Sequence, residues 1–305
     1  MYIPPKIKRK LWHAYLAIVS LVGIVIWTSA VQAPDQLLHV YALDIGQGDA
    51  MYMRLPSGHD VVIDGGPNER VLSELGEVMP LTDREIDLVI ASHNHADHIG
   101  GLDDVLRVYR VKEIWVSGAT HNTNTFEKWR EAVEAERKAG ATVIPIEIGI
   151  EKQFGDVKLK VYYPPESLHG LTPKEQHDAM IVTKLSYGEF DALLTGDAEA
   201  RHEQDLVARY SSELDIEVLK VGHHGSTSST TESFLKATTP KLAVISAGKN
   251  NQFGHPAPST LERLNEWQAQ IYRTDEDGRV EAVSDGKTFW VNSESGGARS
   301  RSARR

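Results

Sequence analysis

The chain has 305 residues, 41% of them apolar and none of them cysteine. That is enough for one large α/β domain or two small ones, and it excludes a disulfide framework or a thiolate metal site. The first 34 residues carry +4 and the last twelve +3 against −10 for the whole chain, so residues 35–293 carry −17. A body that acidic is not that of a general nucleic-acid binder, whose phosphate contacts need Lys and Arg.

In chain order, the basic cluster KIKRK (6–10) precedes LWHAYLAIVSLVGIVIW (11–27), which holds no Asp, Glu, Lys or Arg, and small residues come next. This is the layout of a secretory signal or a signal anchor. About 17 to 20 such residues just cross a hydrocarbon layer of roughly 30 Å. The basic cluster stays in the cytoplasm and sends the rest of the chain outside. Trp27 and the length of the run favour a retained single-pass anchor over cleavage after Ala30 or Ala33. Residues 1–35 are thus expected to tie the protein to the membrane, or to be removed from a secreted one.

Residues 36–293 read as one domain and 294–305, ESGGARSRSARR, as a basic disordered tail. Strand signals fall at 37–45, 50–55, 60–64, 86–92, 113–117, 142–148, 157–163, 180–187, 191–196, 216–222 and 242–248, with a late pair at 280–284 and 288–291. Helical stretches fall at 69–79, 98–109, 124–140, 198–210, 231–237 and 259–268. Hairpins first and βα units later suggest an α/β fold of two packed sheets flanked by helices.

The chemistry concentrates in VIASHNHADHIGGL (89–102), where His93, His95, Asp97 and His98 lie within six positions after a strand. Imidazoles and carboxylates are the ligands of divalent zinc or manganese, and one rigid turn can present several of them. Gly100 and Gly101 allow tight packing behind that turn. Four donors on one loop cannot wrap two cations. A carboxylate able to bridge is required at another strand end, and Asp197 of LLTGDAE (193–199) meets the requirement. A late histidine after a strand is also required, and VLKVGHHGS (218–226) offers His223 and His224. Strand alternation, weak guidance at a turn, favours His223 as the ligand and leaves His224 beside the substrate.

This constellation resembles the metallo-β-lactamase superfamily. LDIGQGDA (43–50), VIDGG (62–66), GHHGSTSS (222–229) and ISAGKNNQFGHPAPSTLERL (245–264) further resemble the extracellular hydrolase domain of ComEC-type DNA-uptake proteins, over nearly all of 38–285. The resemblance implies a four-layer αββα sandwich and two divalent metal ions, zinc or manganese. One would sit on His93, His95 and Asp197, the other on Asp97, His98, Asp197 and His223. His177, in EQHDAMIV, lies about where many members of the superfamily place a further histidine; His169 is a weaker candidate. Two departures stand out. A single hydrophobic segment replaces the usual many-helix channel, so any channel would be a separate protein. His95 is kept where members of this branch often carry Asp, which makes two occupied sites more believable.

Two cations roughly 3.5–4 Å apart lower the pKa of a shared water and stabilise the oxyanion formed on attack. Asp97 can orient that water while ligating. Gln47, His224, Ser226 and His255 are donors that could face a phosphoryl or acyl oxygen, although His255, before Pro256, suits a turn equally well. Asp64 suits pinning the ligand loop from behind, and Asp44 suits a turn. The expected function is a metal-dependent hydrolase outside the cytoplasmic membrane: a phosphodiesterase or nuclease cleaving DNA by a metal-bound hydroxide. The alternative is a phosphodiesterase for small or envelope phosphoesters such as phosphorylcholine. A lactonase, a β-lactamase or a non-catalytic anchored binding module fits less well.

Overall fold

A computed structural model describes residues 4–31, 35–296 and 299–302. The chain divides into two compact units, Met1–Asp35 and Gln36–Arg305. In the first unit α1 (Pro5–Val31) is one continuous helix, with Leu11, Trp12, Tyr15, Ile18 and Leu21 exposed along it. Among the described residues no helix is long and apolar enough to cross a membrane. The spanning anchor read from the sequence is therefore not shown among the described residues. Ala33, one candidate cleavage position, lies outside the described residues.

The strands of the second unit are β1 (Leu38–Ala42), β2 (Met51–Arg54), β3 (Asp60–Ile63), β4 (Glu85–Ala91), β5 (Arg110–Val116), β6 (Thr142–Pro145), β7 (Glu151–Phe154), β8 (Val157–Tyr163), β9 (Val182–Tyr187), β10 (Phe190–Leu194), β11 (Val218–Lys220), β12 (Leu242–Ile245), β13 (Gln270–Arg273), β14 (Val280–Ser284), β15 (Phe289–Ser293) and β16 (Arg299–Ser302). Its helices are α2 (Arg70–Val78), α3 (Ala96–Ile99), α4 (Leu102–Val108), α5 (Asn124–Ala139), α6 (Ala200–Tyr210), α7 (Glu232–Thr238), α8 (Pro258–Glu266) and α9 (Thr274–Asp277). One sheet has the order β16-β15-β14-β1-β2-β3-β4-β5-β6 and the other β13-β12-β11-β10-β9-β8-β7.

Period-two alternation builds the layers. Val61 and Ile63 of β3 point between the sheets, against residues such as Leu185, Leu194 and Val244 from the second sheet. Val62 points the other way, to Val71, Leu75, Leu102 and Trp129 on the helices covering the first sheet. Leu193 and Leu219 do the same for the second sheet, against Leu206, Phe234 and Leu264. Strands buried on both faces read as unbroken apolar runs, and stacked this way they give helix, sheet, sheet, helix.

Strands β3 to β6 run parallel, as do β10 to β13. The segments leaving β3, β4, β10, β11 and β12 converge on one edge of the sandwich, the usual place for a ligand in such sheets. Three strands escape the sequence reading. β7 has one apolar residue in four and exists as the hairpin partner of β8. β13 follows α8 so closely that its signal merges with the helix. β16 corrects the reading of 294–305 as wholly disordered: residues 299–302 pair antiparallel with β15, whose edge offers open backbone groups.

Glycine marks where the site-bearing loops press together. A Cβ on Gly101 would lie 2.3 Å from the Gly65 carbonyl oxygen and 2.4 Å from that of Asn68. Gly101→Ala is expected to lower the unfolding free energy by about 1–3 kcal/mol. Gly76→Ala, in the interior of α2 with open space around it, is expected to raise it by about 0.5–1 kcal/mol. Thermal or urea unfolding of the two variants checks both signs.

Candidate metal centre

Ser92 leaves β4 and the chain folds at once into α3, whose amides of His98 and Ile99 turn back to the His95 carbonyl at 3.1 and 3.0 Å. The turn buries His93 and His98 and leaves His95 and Asp97 partly open. The 43–50 loop clamps it from the side. Asp49 donates its amide to the Asp97 carbonyl at 3.1 Å, and Gly48, at φ +132°, lies so close that a Cβ would meet that oxygen at 2.2 Å.

Two sets of donors converge here, each with its ligating atoms within 4.8 Å of one another. The first is His93, His95, His177 and Asp197, with Asp197 Oδ2 at 3.9 Å from His93 Nε2 and 3.7 Å from His177 Nε2. His177 stands on a single turn of 3-10 helix, Gln176–Ala179. The amide of Gln176 fixes that turn by donating to the Thr120 carbonyl at 3.2 Å and accepting from Asn94 at 3.4 Å. The second set is Asp97, His98, Asp197 and His224. His98 Nε2 lies 3.3 Å from Asp197 Oδ2 and 4.0 Å from Asp97 Oδ2; His224 Nε2 lies 3.3 Å from Asp97 Oδ2 and 3.5 Å from Asp197 Oδ1. Asp197 belongs to both sets.

Partners behind the rings fix which nitrogen faces inward. His98 Nδ1 donates to Asp64 Oδ2 at 2.8 Å, and Asp64 also accepts from the Ser92 amide at 2.7 Å and hydroxyl at 2.6 Å. His224 Nδ1 donates to the Ser246 carbonyl at 3.0 Å, with Asp49 Oδ1 at 3.3 Å. Each ring therefore presents an unprotonated Nε2 to the centre when neutral. Among the described residues, His98 Nε2, His224 Nε2 and Asp197 Oδ1 are buried with no hydrogen-bond partner. Two ring nitrogens and a carboxylate oxygen, desolvated, without hydrogen bonds and aimed at one point, are costly, and a metal ion that displaced the ring protons would relieve that cost. The residues present fit divalent metals.

The electrostatics separate the two sets. Burial keeps protons off the first: His93 is held well below the ordinary histidine range, and His177 is pushed down to about 4. In the second, burial is outweighed by surrounding carboxylates. Asp197, Asp64 and Asp97 raise His98 well above the usual range, and Asp197 with Asp49 pushes His224 up to about 9. Burial opposes ionisation of Asp197 as well, yet His224 and His98 hold it well below the carboxylate range. A cation entering the second set displaces protons, so its affinity falls as pH falls.

The structure reverses the preference between the tandem histidines. His223 and His224 have φ of +46° and +53°, so the chain has left the strand and face-counting from Leu219 and Val221 fails. His224 is buried in the second set. His223 remains 23% exposed, 4.0 Å from Asp197 Oδ2, and pairs through Nδ1 with Glu199 Oε1 at 3.1 Å. His177, Glu199 and His223 form a third, less buried grouping beside the first set. His255 joins none of these sets, its ring centroid lying 5.6 Å from that of His223 and 6.4 Å from that of His224.

Gln47 accepts the Gly248 amide at 3.0 Å and ties two loops together. Ser226 is buried against Ser228, with hydroxyl oxygens 3.0 Å apart. Asp44 pairs with Arg70 at 2.7 Å and His169 is exposed; neither belongs to a donor set. Asp49, Glu199 and Lys220 escape the sequence reading. Lys220 is fully buried, ion-paired with Asp49, and donates to the Gly196 carbonyl at 3.1 Å. The signal was a lone lysine inside the apolar run IEVLKVG.

The fold and the two donor sets define a metal-dependent hydrolase of the metallo-β-lactamase superfamily, to which the chain belongs: residues 43–249 match the sequence profile of that superfamily. More particular likenesses are to ComE operon protein 3 of Bacillus subtilis, 31% identical over 78% of this chain and 32% of that one, and to recombination protein 2 of Haemophilus influenzae, 30% identical over 79% and 28%. Competence protein ComA of Neisseria gonorrhoeae is 26% identical over 87% of this chain and 35% of its own length. The chain thus spans about a third of the length of these relatives. Among solved structures, the CmlA β-hydroxylase E377D mutant shares the fold at TM-score 0.50 and 11% identity, over 80% of this chain and 53% of that one.

Asp64 has φ +60°, a conformation asparagine tolerates. Asp64→Asn is expected to leave the fold intact and to weaken metal binding about 10- to 100-fold, measured by competition with a chromogenic chelator.

Proposed function

We propose that the chain is a phosphodiesterase that hydrolyses DNA outside the cytoplasmic membrane. It would use two divalent cations, zinc or manganese, held by His93, His95, His177 and Asp197 and by Asp97, His98, Asp197 and His224. The observation that carries this reading is Asp197, a buried carboxylate common to two four-donor sets. Two cations so placed would supply an ionised water at neutral pH and neutralise charge growing on a phosphoryl group.

The chain's own residues supply the rest. The Asp97 side chain is 36% exposed, so it can hold and orient a water at the open side of the centre. His223, also partly open and oriented by Glu199, can donate to a non-bridging phosphoryl oxygen. DNA as the substrate is supported by relatives named for competence and recombination. Attachment to a membrane is supported by the basic cluster and apolar run of residues 6–27. The −17 body favours a second reading, in which the diester is small or part of the envelope.

The test uses the full chain with its metal content determined. It is incubated with single- and double-stranded DNA and with bis-p-nitrophenyl phosphate, beside Asp197→Ala. DNA cleavage that falls at least about 10²-fold in the variant is the expected result. Turnover of the small diester with DNA intact selects the second reading. Two bound metals with neither substrate turned over contradicts phosphodiester hydrolysis.

A further inference from the structure

The loop from Ala247 to Ala257, between β12 and α8, carries Phe253 with 58% of its surface exposed. A single exposed aromatic is ordinary in itself, but this one is held in place. Asn251 accepts the amides of Phe253 and His255 through Oδ1, both at 3.1 Å, and donates through Nδ2 to the carbonyls of Gly248 at 3.0 Å and His255 at 2.5 Å. Gln47 fastens the start of the loop through the Gly248 amide. The ring of Phe253 stacks on that of His255, with centroids 5.9 Å apart and planes 26° from parallel. His255 in turn neighbours His223 and His224, so the stacked pair borders the donor sets. Lys249, exposed on the same loop, adds a cation.

A flat apolar face on a rigid loop beside a phosphodiester site suits a ligand that joins an aromatic ring to a phosphate. We propose that Phe253, backed by His255, is a stacking platform for one unpaired nucleobase of the strand whose phosphodiester lies at the donor sets; this rests on the phosphodiesterase reading above. Every base has a π-face, so the platform tolerates any sequence. A base inside a duplex is already stacked on both sides and must leave the stack to reach it. Single strands, frayed ends and flaps are therefore preferred over closed duplex. The acidic body fits this arrangement, because the strand is gripped at one base and one phosphate and not along an extended basic track.

The experiment compares the full metal-loaded chain with Phe253→Ala and Phe253→Trp. Binding is read by fluorescence anisotropy on a single-stranded phosphorothioate 12-mer and on an abasic strand of equal length; cleavage is read on the matching phosphodiester strands. Phe253→Ala is expected to weaken binding of the base-bearing strand about 5- to 100-fold. It should raise KM more than it lowers kcat, and narrow the gap between base-bearing and abasic strands, with metal content unchanged. Phe253→Trp should keep the preference. Base-dependent binding that needs Phe253, without cleavage, would leave the platform standing and remove the hydrolytic reading. Cleavage equal in the wild type and Phe253→Ala would overturn the platform and keep hydrolysis. Equal affinity for the two strands in the wild type, or binding of neither, would overturn the platform.

Discussion

Four buried or half-buried carboxylates, Asp49, Asp64, Asp97 and Asp197, surround a centre whose one fully buried lysine, Lys220, is already ion-paired with Asp49. Carboxylates drawn out of water this closely repel one another and lose their hydration, so they persist ionised only where positive charge is brought among them. His98 and His224 answer part of the demand, which is why both are pushed above the ordinary histidine range. The orphaned Nε2 atoms of those two rings and the orphaned Oδ1 of Asp197 point to the remainder. Divalent cations among the donor groups would supply it.

That arrangement comes from strand ends and from glycines at close approaches. The turn at Gly222 packs on the Ala198 carbonyl, where a Cβ would lie 2.4 Å away, so the His224 turn and the Asp197 turn are held in register. Lys220 adds a second tie, joining Asp49 behind His224 to the carbonyl next to Asp197. Gly48 presses the 43–50 loop against the carbonyl of Asp97. Each contact joins segments far apart in sequence. The centre therefore forms only when both sheets are in place.

The αββα architecture and the candidate donors that HNHADH and GDAE bring together were legible in the sequence because each rests on local pattern. Apolar runs mark doubly buried strands, and ligands cluster where a strand ends. What escaped depends on tertiary geometry. His224, not His223, faces inward because two successive left-handed residues twist the GHHG turn, and no counting along β11 reveals that. Lys220 looks like an interruption in a strand until Asp49 is placed beside it. Glu199, next to an expected ligand, acts by pairing with His223. β7 and β13 are too short and too polar, or too close to a helix, to stand out, and β16 exists only because β15 offers it an edge.

The most direct measurement is anomalous diffraction from crystals of the metal-loaded chain, collected at the absorption edge of the bound ion. The account predicts two peaks roughly 3.5–4 Å apart, one among His93, His95 and His177 and the other among Asp97, His98 and His224, with Asp197 between them. A single peak, or a peak held by His223 and Glu199 with the second set empty, would contradict it.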